Sequence, residues 1–299
     1  MYSEQGRTQK LFDSLLRVPR KISRTASPRV VHQLRTTIRR VETLLAVQPA
    51  DAKIEAKLLK QLARLRRRAG KVRDLDVQIA ALRGVRLESI AKDKERVMRA
   101  LNKAHAKRIK KLVSAVEKAQ DRGLRKHLKR ARAEVLQQAK APATDAARED
   151  AKSRAAGLVQ SALDEFAAMV QARRGAVTEN TLHEYRTACK SVRYKAEIAG
   201  NSDRAQAAVA QLKLIQDAAG EWHDWLTLTR TAEKVLARST SSPLVAALRV
   251  GTRSKFLQAQ RTTTEAQQAL LAMRRTTDRR KAPTALRRTV AESGSALAG

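Results

Sequence analysis

The amino-acid sequence predicts an all-α fold, and three observations support this prediction. Ala, Leu, Val and long charged side chains dominate the 299 residues, whereas Phe, Trp and Tyr together make up 3%. Apolar residues recur at spacings of three and four, which is the periodicity of amphipathic helices. Runs of β-branched residues with period-two alternation are absent. Such a composition is typical of helices packed on helices.

Interruptions of the apolar periodicity divide the chain into successive helices. Pro and Gly interrupt helices most strongly. The predicted breaks are Ser27-Pro28, Gln48-Pro49, Gly84, Gly123, Ala141-Pro142, Gly175, residues 200–202 and residues 239–243. Between two of these breaks, residues 85–139 carry many charges and a thin apolar stripe, which predicts a long, partly exposed helix or a helical hairpin.

Two segments repeat in the same order at a separation of about 150 residues. Residues 31–39 (VHQLRTTIR) align with residues 182–190 (LHEYRTACK). Residues 62–74 (LARLRRRAGKVRD) align with residues 212–224 (LKLIQDAAGEWHD). The period is too long for a solenoid. The repeat therefore predicts an internal duplication in which two related bundles pack about a pseudo-two-fold axis.

The repeat also predicts the domain organisation. We expect an N-terminal helical half at residues 1–140 and a C-terminal helical half at residues 141–276, which together form one domain. From about Thr277 the periodicity is lost, and a basic, disordered tail is expected at residues 277–299.

The strongest compositional signal is charge. Sixty-three Lys and Arg residues against 29 Asp and Glu residues give a net charge of +34. Self-repulsion of this size destabilises a compact state unless polyanions or counterions relieve it. The candidate partners are nucleic acid, an anionic membrane surface and a non-nucleotide polyanion, and the alternative is a generally basic surface with no single ligand.

Several features bear on the compartment. The single cysteine, Cys189, excludes an internal disulfide and fits a reducing environment. No apolar run approaches the ~20 residues of a membrane-spanning helix. Residues Met1 to Lys10 are polar and no apolar segment follows them, so no signal peptide is expected. These features predict a cytoplasmic protein that does not associate with membranes.

The two repeated helices each separate into a basic face and an apolar face at 100° per residue. The basic face of the first copy carries His32, Arg35, Thr36, Arg39 and Thr43, and the opposite face carries Leu34, Ile38, Val41 and Leu45. The basic face of the second copy carries His183, Arg186, Thr187, Lys190, Arg193 and Tyr194, and the opposite face carries Tyr185, Cys189, Val192 and Ala196. Residues three or four apart on one face are ~5–6 Å from each other. Each helix thus presents a row of donors led by a histidine, which suits a row of phosphates better than a single anion.

A further basic stripe overlaps the second repeated segment of the first half. It consists of Lys57, Lys60, Arg64, Arg67, Arg68 and Lys71, opposite Leu58, Leu62, Leu65 and Val72. A solvated face explains this stripe about as well as a binding role does. The histidine helices are different, because drift on a wet surface gives no reason for the same His-x-x-Arg-x-x-x-basic pattern to appear twice.

These residue types suit phosphate. The planar fork of Arg donates two parallel hydrogen bonds, Lys adds a mobile point charge, and Thr or Tyr hydroxyls can donate to further oxygens. A histidine whose pKa is raised by a neighbouring phosphate donates from both ring nitrogens. The alternative role of each helix-leading histidine is a structural hydrogen bond. His105 and His127 lie outside the repeat and are expected to be surface residues.

Four aspartates accompany the basic segments: Asp74, Asp76, Asp217 and Asp224. They are too few and too close to Arg73 to predict a metal site. We expect them to orient nearby Arg or His side chains, or to cap helices that follow Gly70 and Gly220. No Ser-His-Asp arrangement, P-loop or CxxC motif is present, and Cys189 is expected in the core.

The paired His-x-x-Arg-x-x-x-Arg/Lys helices, each followed by Leu-x-x-Leu-x-x-x-x-Gly-x-x-Arg/His-Asp, resemble the CHAD family of histidine-bearing α-helical domains. The resemblance covers roughly residues 10–275. Members are similar in having two helical bundles around a basic central groove and in binding inorganic polyphosphate. It therefore implies polyphosphate as the partner and neither metal nor cofactor.

Carried over by position, the resemblance assigns polyphosphate-binding roles in both halves. In the first half it points to His32, Arg35, Arg39 and Arg73. In the second half it points to His183, Arg186, Lys190, Arg193, Tyr194, Lys195 and Lys213. The candidate set is completed by Arg40, Lys60, Arg64, Arg67 and His223.

The two copies differ at two positions. Glu42 stands where the second copy has Arg193, and His223 stands where the first has Arg73. We therefore expect the halves to hold the ligand unequally, and the half with His223 to bind more weakly at high pH.

The leading interpretation is a non-catalytic polyphosphate-binding protein, cytoplasmic and associated with polyphosphate granules. The main alternative is binding of RNA or DNA, but no aromatic stacking platform, recognition helix or zinc finger is evident. A third possibility is an enzyme that makes or cuts polyphosphate. Such hydrolysis usually requires carboxylates that hold a metal around the phosphate, and the basic stripes are nearly free of them.

Overall fold

The computed structural model describes residues 4–47, 52–86, 90–138, 145–173, 177–198, 202–237 and 242–281. Within these residues the chain forms nine α-helices and one short 3-10 helix, Val18–Lys21, and contains no β-strand. This confirms the predicted all-α class. The α-helices are α1 (Glu4–Arg17), α2 (Pro28–Val47), α3 (Ala52–Gly84), α4 (Ala91–Asp121), α5 (Leu124–Gln138), α6 (Asp145–Ala172), α7 (Glu179–Ile198), α8 (Asp203–Val235) and α9 (Pro243–Lys281).

Helix ends coincide with several predicted breaks. Helix α2 begins at Pro28, a position where a missing backbone N–H costs nothing. Helix α3 ends at Gly84, and α9 begins at Pro243. Gly123 separates α4 from α5 with φ of +76°, a left-handed conformation that glycine adopts without steric cost. Residues 85–139 thus contain two helices joined by a tight turn.

Other predictions about the chain's punctuation fall wholly or partly outside the described residues. This applies to the breaks at Gln48-Pro49, Ala141-Pro142 and Gly175. Helix α9 continues to Lys281, past Thr277, and the rest of the expected tail lies outside the described residues.

The expectation that helices begin after Gly70 and Gly220 is wrong. Each glycine lies inside a helix of 33 residues, so Asp74 and Asp224 are interior helical residues and not caps. The cost of an interior glycine is only about 1 kcal/mol relative to Ala. Burial of Val72 and Trp222, two residues beyond each glycine, contributes more than this and carries both helices through.

The contacts divide the chain into two compact units. Unit 1 comprises Met1–Ala151 and Gly220–Leu257, and unit 2 comprises Lys152–Ala219 and Gln258–Gly299. The division falls within α6, α8 and α9, so each of these helices contributes one segment to each unit. The division predicted at residue 140 rests on sequence repetition and stays a prediction.

Unit 1 has two apolar clusters. One joins α1, α2, α3, α4 and α5 around side chains such as Phe12, Leu34 and Leu65. The other joins the end of α3, the start of α4 and the unit 1 segments of α8 and α9. Near the latter, Trp222 packs edge-on against Phe256, with 6.0 Å between ring centroids, and the ring of Trp225 lies directly against Gly251.

Unit 2 is built from α6 beginning at Lys152, α7, the first part of α8 and the second part of α9. Its buried side chains include Phe166, Leu182, Tyr185, Ile215 and Leu270. Gln216 of α8 donates to the carbonyl oxygen of Cys189 on α7 at 2.6 Å, and Gln260 of α9 donates to the carbonyl oxygen of Val177 at 2.8 Å. In neither unit does a described helix combine the length and the apolar character needed to cross a membrane.

Candidate anion-binding site

Helix α2 has the two faces that its sequence predicts. Leu34, Ile38, Val41 and Leu45 are fully buried in unit 1. On the other side, His32 and Arg40 are exposed, and Arg35 and Arg39 are half-buried. The apolar face fixes the rotation of the helix, and this rotation directs the histidine and the arginines away from the core.

The threonines on the basic faces are engaged within their own helices. Thr36 Oγ1 donates to the carbonyl oxygen of His32 at 3.0 Å, and Thr43 Oγ1 donates to that of Arg39 at 2.9 Å. In α7, Thr187 Oγ1 donates to the carbonyl oxygen of His183 at 3.1 Å. A helical hydroxyl commonly finds this acceptor one turn earlier. These hydroxyl protons are used within the helices, and donation from threonine to a phosphate stays a prediction.

Two arginines converge on His32 from different helices. A Cβ atom placed on Gly70 of α3 would lie 3.7 Å from Nε of Arg35, so the Arg35 side chain extends across α3 at this glycine. Arg73, one turn further along α3, is close enough for its charge to act on the imidazole of His32. The sequence motif of α2 and the glycine motif of α3 thus meet in one cluster, which we call the His32 cluster: His32, Arg35, Gly70 and Arg73.

The His32 cluster lowers the basicity of its histidine. Partial burial lowers the pKa of His32 below its usual value, and the positive charges of Arg73 and then Arg35 lower it further. With no anion present the imidazole is therefore neutral at pH 7, with one donor and one acceptor nitrogen. A bound anion would reverse the contribution of the two arginines by offsetting their charge.

The stripe on α3 is also arranged as predicted. Leu58, Leu62, Leu65 and Val72 are fully buried, whereas Lys60, Arg64 and Arg67 are exposed. Between this stripe and α2, Arg66 forms an ion pair with Glu42, with 2.7 Å between Nε and Oε2. Burial raises the pKa of Glu42, although Arg66 and Arg39 act to lower it. Glu42 therefore places a carboxylate beside the cationic residues of unit 1.

His105 and His127 are not the surface residues that the sequence suggests. Both are half-buried. Nε2 of His105 on α4 lies 3.0 Å from Oδ1 of Asp76 on α3, and Nδ1 of His127 lies 3.4 Å from Oε1 of Gln61. The sequence around both histidines is highly charged and therefore predicts exposure. Each ring nevertheless faces a side chain of another helix.

Asp76 links the His32 cluster to α4. Its side chain is buried and pairs with His105, and the charge of Arg73 also acts on it. Burial raises the pKa of Asp76, while His105 and Arg73 oppose the rise. Asp76 thus meets the expectation that an aspartate orients a histidine, but the histidine is His105, which is outside the candidate set.

In unit 2, helix α7 repeats the arrangement of α2. Tyr185, Cys189, Val192 and Ala196 are buried, as predicted. His183 is exposed, and Arg186 and Lys190 are half-buried. Burial raises the pKa of the Cys189 thiol to about 12, so this cysteine is an unreactive core residue.

The last turns of α7 differ from the sequence prediction. Tyr194 is buried instead of lying on the exposed basic face, and the Arg193 guanidinium stacks 5.0 Å from the centre of its ring. Arg193 also reaches Glu197 at 3.6 Å, and Lys195 pairs with Glu165 of α6. By helical periodicity Tyr194 lies about 35° from the centre of the basic face and nearly opposite the apolar face, so its burial depends on the neighbouring side chains and not on periodicity.

The remaining two candidates lie on α8. Lys213 is exposed and belongs to unit 2. His223 belongs to unit 1, is half-buried, and has its ring centroid 6.3 Å from that of Trp222. Among the described residues, no three His, Cys, Asp or Glu side chains are grouped in a way that would hold a metal ion.

A family comparison accounts for this arrangement of helices. The CHAD domain model matches residues 7–233, which is most of the chain. The chain belongs to the CHAD domain family. The match covers α2, α3 and α7 in full and α8 as far as Glu233. The CHAD domain thus includes both copies of the repeated motifs.

A solved structure shows the same fold. The crystal structure of the CHAD domain from the plant Ricinus communis matches with a TM-score of 0.58 and 19% sequence identity, and the alignment covers 91% of this chain and 90% of that one. At this level of identity the likeness concerns the CHAD fold alone. No curated protein shows significant sequence similarity to the chain.

Proposed function

We propose that this CHAD domain binds inorganic polyphosphate without catalysis, through the Arg, Lys and His side chains of the candidate set. CHAD domains are a family associated with polyphosphate binding. The observation that carries the proposal for this chain is the His32 cluster. Two guanidinium groups from separate helices stand beside a histidine whose pKa they depress, and a polyanion relieves their repulsion.

The chemistry of the cluster suits a chain of phosphates. Arg35 and Arg73 supply planar donors that remain charged at any physiological pH. When the anion raises the pKa of His32, the imidazolium supplies two further donors. Charge-assisted hydrogen bonds of this kind are roughly twice as strong as neutral ones. Because counterions are released as each phosphate is bound, the affinity should fall steeply with salt concentration.

We also propose that the two histidine helices arose by internal duplication and act together on one ligand. Helices α2 and α7 both have 20 residues, and α3 and α8 both have 33. The aligned segments 62–74 and 212–224 are buried at the same four positions, which are Leu62, Leu65, Ala69 and Val72 in the first and Leu212, Ile215, Ala219 and Trp222 in the second. These correspondences, found in each unit taken by itself, support the internal duplication.

Two alternatives are separated from polyphosphate binding by simple experiments. A nucleic-acid-binding protein would prefer RNA or DNA. An enzyme acting on polyphosphate would change the length of the chain, and we propose that this protein does not. Two carboxylates that lie beside the basic faces of α2 and α7, Glu42 and Glu197, are paired with Arg66 and Arg193.

Competition is the decisive measurement. Long-chain polyphosphate is bound first, and RNA or DNA of matched total charge is added at about 150 mM salt. We expect polyphosphate to remain bound, and displacement by an equal amount of nucleic-acid charge would refute the proposal. Incubation with Mg²⁺ or Mn²⁺ should leave the chain length unchanged, and shortening would show an enzyme.

A double variant tests the location of the site. Arg35→Glu with Arg186→Glu should abolish polyphosphate binding with helicity intact by circular dichroism. The matched control is Arg20→Glu with Arg261→Glu, which changes the charge equally at two exposed positions outside the candidate set, again one in each unit. Equal losses in both variants would mean that net charge, and not this site, determines binding.

A further inference from the structure

Helix α4 carries a line of six cations along the middle of its outer face, over more than half its length. Its inner face contains Val97, Leu101, Ile109, Leu112 and Val116, all buried in unit 1. At 100° per residue the direction opposite to this face is occupied, from the first turn of α4 onward, by Lys92, Arg96, Arg99, Lys103, Lys107 and Lys110. All six are exposed. We call these six residues the α4 stripe; at 1.5 Å per residue it is about 27 Å long.

Most of the α4 stripe lacks a partner within the protein. Arg99 lies 3.7 Å from Glu95, but no hydrogen bond or ion pair to any described residue involves Lys103, Lys107 or Lys110. The other basic side chain nearby, Lys94, points elsewhere and donates to the carbonyl oxygens of Arg83 and Val85. The stripe is therefore a row of six charges on a rigid helix with one ion pair among the described residues, that of Arg99 with Glu95.

This arrangement is unfavourable for the isolated helix. Cations three or four residues apart repel one another, and the α4 stripe contains five such successive pairs. A merely solvated helix face would be more stable with acids interspersed, as at Arg130 and Glu134 of α5, which lie 3.2 Å apart. A long anionic partner removes this repulsion.

The chemistry of the α4 stripe selects among such partners. A membrane-surface helix needs large apolar side chains next to its cations, and the exposed large apolar residues of the described chain are Leu214, Val250 and Leu257, none of them on α4. A single-stranded nucleic acid favours aromatic platforms, and α4 contains no Phe, Tyr or Trp. A straight row of point charges instead fits the regular phosphates of a duplex, which carries one charge per ~1.7 Å of axis.

We propose that the α4 stripe binds double-stranded nucleic acid through its phosphates, without reading its sequence. Lysine predominates in the stripe and has no fork geometry for bidentate recognition. Neither His105, which pairs with Asp76, nor the His32 cluster takes part. The proposal therefore uses residues that polyphosphate binding does not require.

The test measures the affinity for a duplex of about 20 base pairs as a function of salt concentration. Each phosphate contact contributes about 0.9 to the slope of log K against log salt. In a Lys103→Gln, Lys107→Gln, Lys110→Gln variant the slope should fall by about 3, and helicity should be retained because Gln and Lys have similar helix propensities. The unliganded variant should melt no lower than the parent, because repulsion has been removed.

A control with the same charge change is Arg20→Gln, Lys21→Gln, Arg24→Gln, at exposed positions of unit 1. It should leave the slope unchanged, and an equal fall in the control would overturn the proposal. Loss of binding to phosphatidylserine vesicles with the duplex slope intact would also overturn it, in favour of a membrane surface. The Arg35→Glu, Arg186→Glu variant should keep the duplex slope while losing polyphosphate, so failure of one proposal leaves the other separately testable.

Discussion

The side chain of Arg35 on α2 lies across Gly70 on α3, with its Nε 3.7 Å from the position that a Cβ atom would occupy there. This contact joins the two motifs that repeat in the sequence. It also gives the glycine a role that is unrelated to helix termination. The absence of a longer side chain at Gly70 leaves room for a guanidinium group beside His32.

Substitutions at Gly70 should separate helix propensity from binding. Gly70→Ala should raise the free energy of unfolding by up to about 1 kcal/mol with unchanged polyphosphate affinity, because 3.7 Å is an ordinary contact distance. Gly70→Leu should displace Arg35 and weaken binding about tenfold or more, since hydrogen bonds of charged groups are worth roughly 1.5–3 kcal/mol. Thermal melting and titration measure the two effects. If Gly70→Leu keeps full affinity, Arg35 does not have to lie across Gly70 in order to bind polyphosphate.

Polyphosphate binding should be accompanied by proton uptake at His32. In the unliganded protein partial burial, Arg73 and Arg35 lower the pKa of this histidine, whereas a bound polyanion raises it. The affinity should therefore increase as the pH falls from above 7 through the pKa of the complex. Calorimetry in buffers of different ionisation enthalpy measures the protons taken up. His32→Gln should reduce this number, and an unchanged number would place the titrating group elsewhere.

Asp76 should lower stability near neutral pH. Burial raises the pKa of Asp76 despite His105 and Arg73, so between the unfolded and folded pKa values the folded state binds more protons and stability falls as pH rises. Asp76→Asn should remove this fall and leave the free energy of unfolding at pH 7 no lower than that of the parent, because the amide oxygen can still accept from His105. Melting temperatures between pH 4 and pH 7 test this, with exposed Asp217→Asn as the control. A large loss of stability at pH 7 would contradict the assignment.

One chemical change should have opposite signs at two helical glycines. No atom lies within 4 Å of a Cβ placed on Gly157 of α6, so Gly157→Ala should stabilise the protein by about 1 kcal/mol. A Cβ on Gly251 of α9 would meet the ring of Trp225, with Cε3 only 2.8 Å away, so Gly251→Ala should destabilise the protein by about 1–3 kcal/mol. Denaturant titration of both variants checks the signs. Equal effects would mean that the ring of Trp225 moves aside freely.

The sequence predicts most of what depends on helical periodicity. The burial of Leu34 and Ile38 follows from spacing along one helix, and so does the exposure of His32. The prediction for Gly70 is wrong because a glycine suggests a helix end, whereas packing around Gly70 outweighs the low helix propensity of glycine. Spacing alone could not indicate that Arg35 fills the space beside it.

Contacts between helices could not be predicted in the same way. His105 and Asp76 are 29 residues apart on different helices, and no spacing rule brings them together. The ion pair of Arg66 with Glu42 has the same origin, since it depends on how α2 packs on α3. Such pairs are set by the separation and rotation of packed helices, which a single sequence does not specify.

The tryptophans of this chain provide an intrinsic fluorescence probe on α8. Trp222 and Trp225 are the chain's two tryptophans, and they flank His223 on one helix. Trp222 is buried against Phe256, and Trp225 rests on Gly251, so the two indoles sit in different surroundings. The tryptophan fluorescence of the whole protein therefore originates from a single turn. A ligand that reaches His223 should alter the colour or intensity of that light without any added dye, and one that stays on α2 should leave it unchanged.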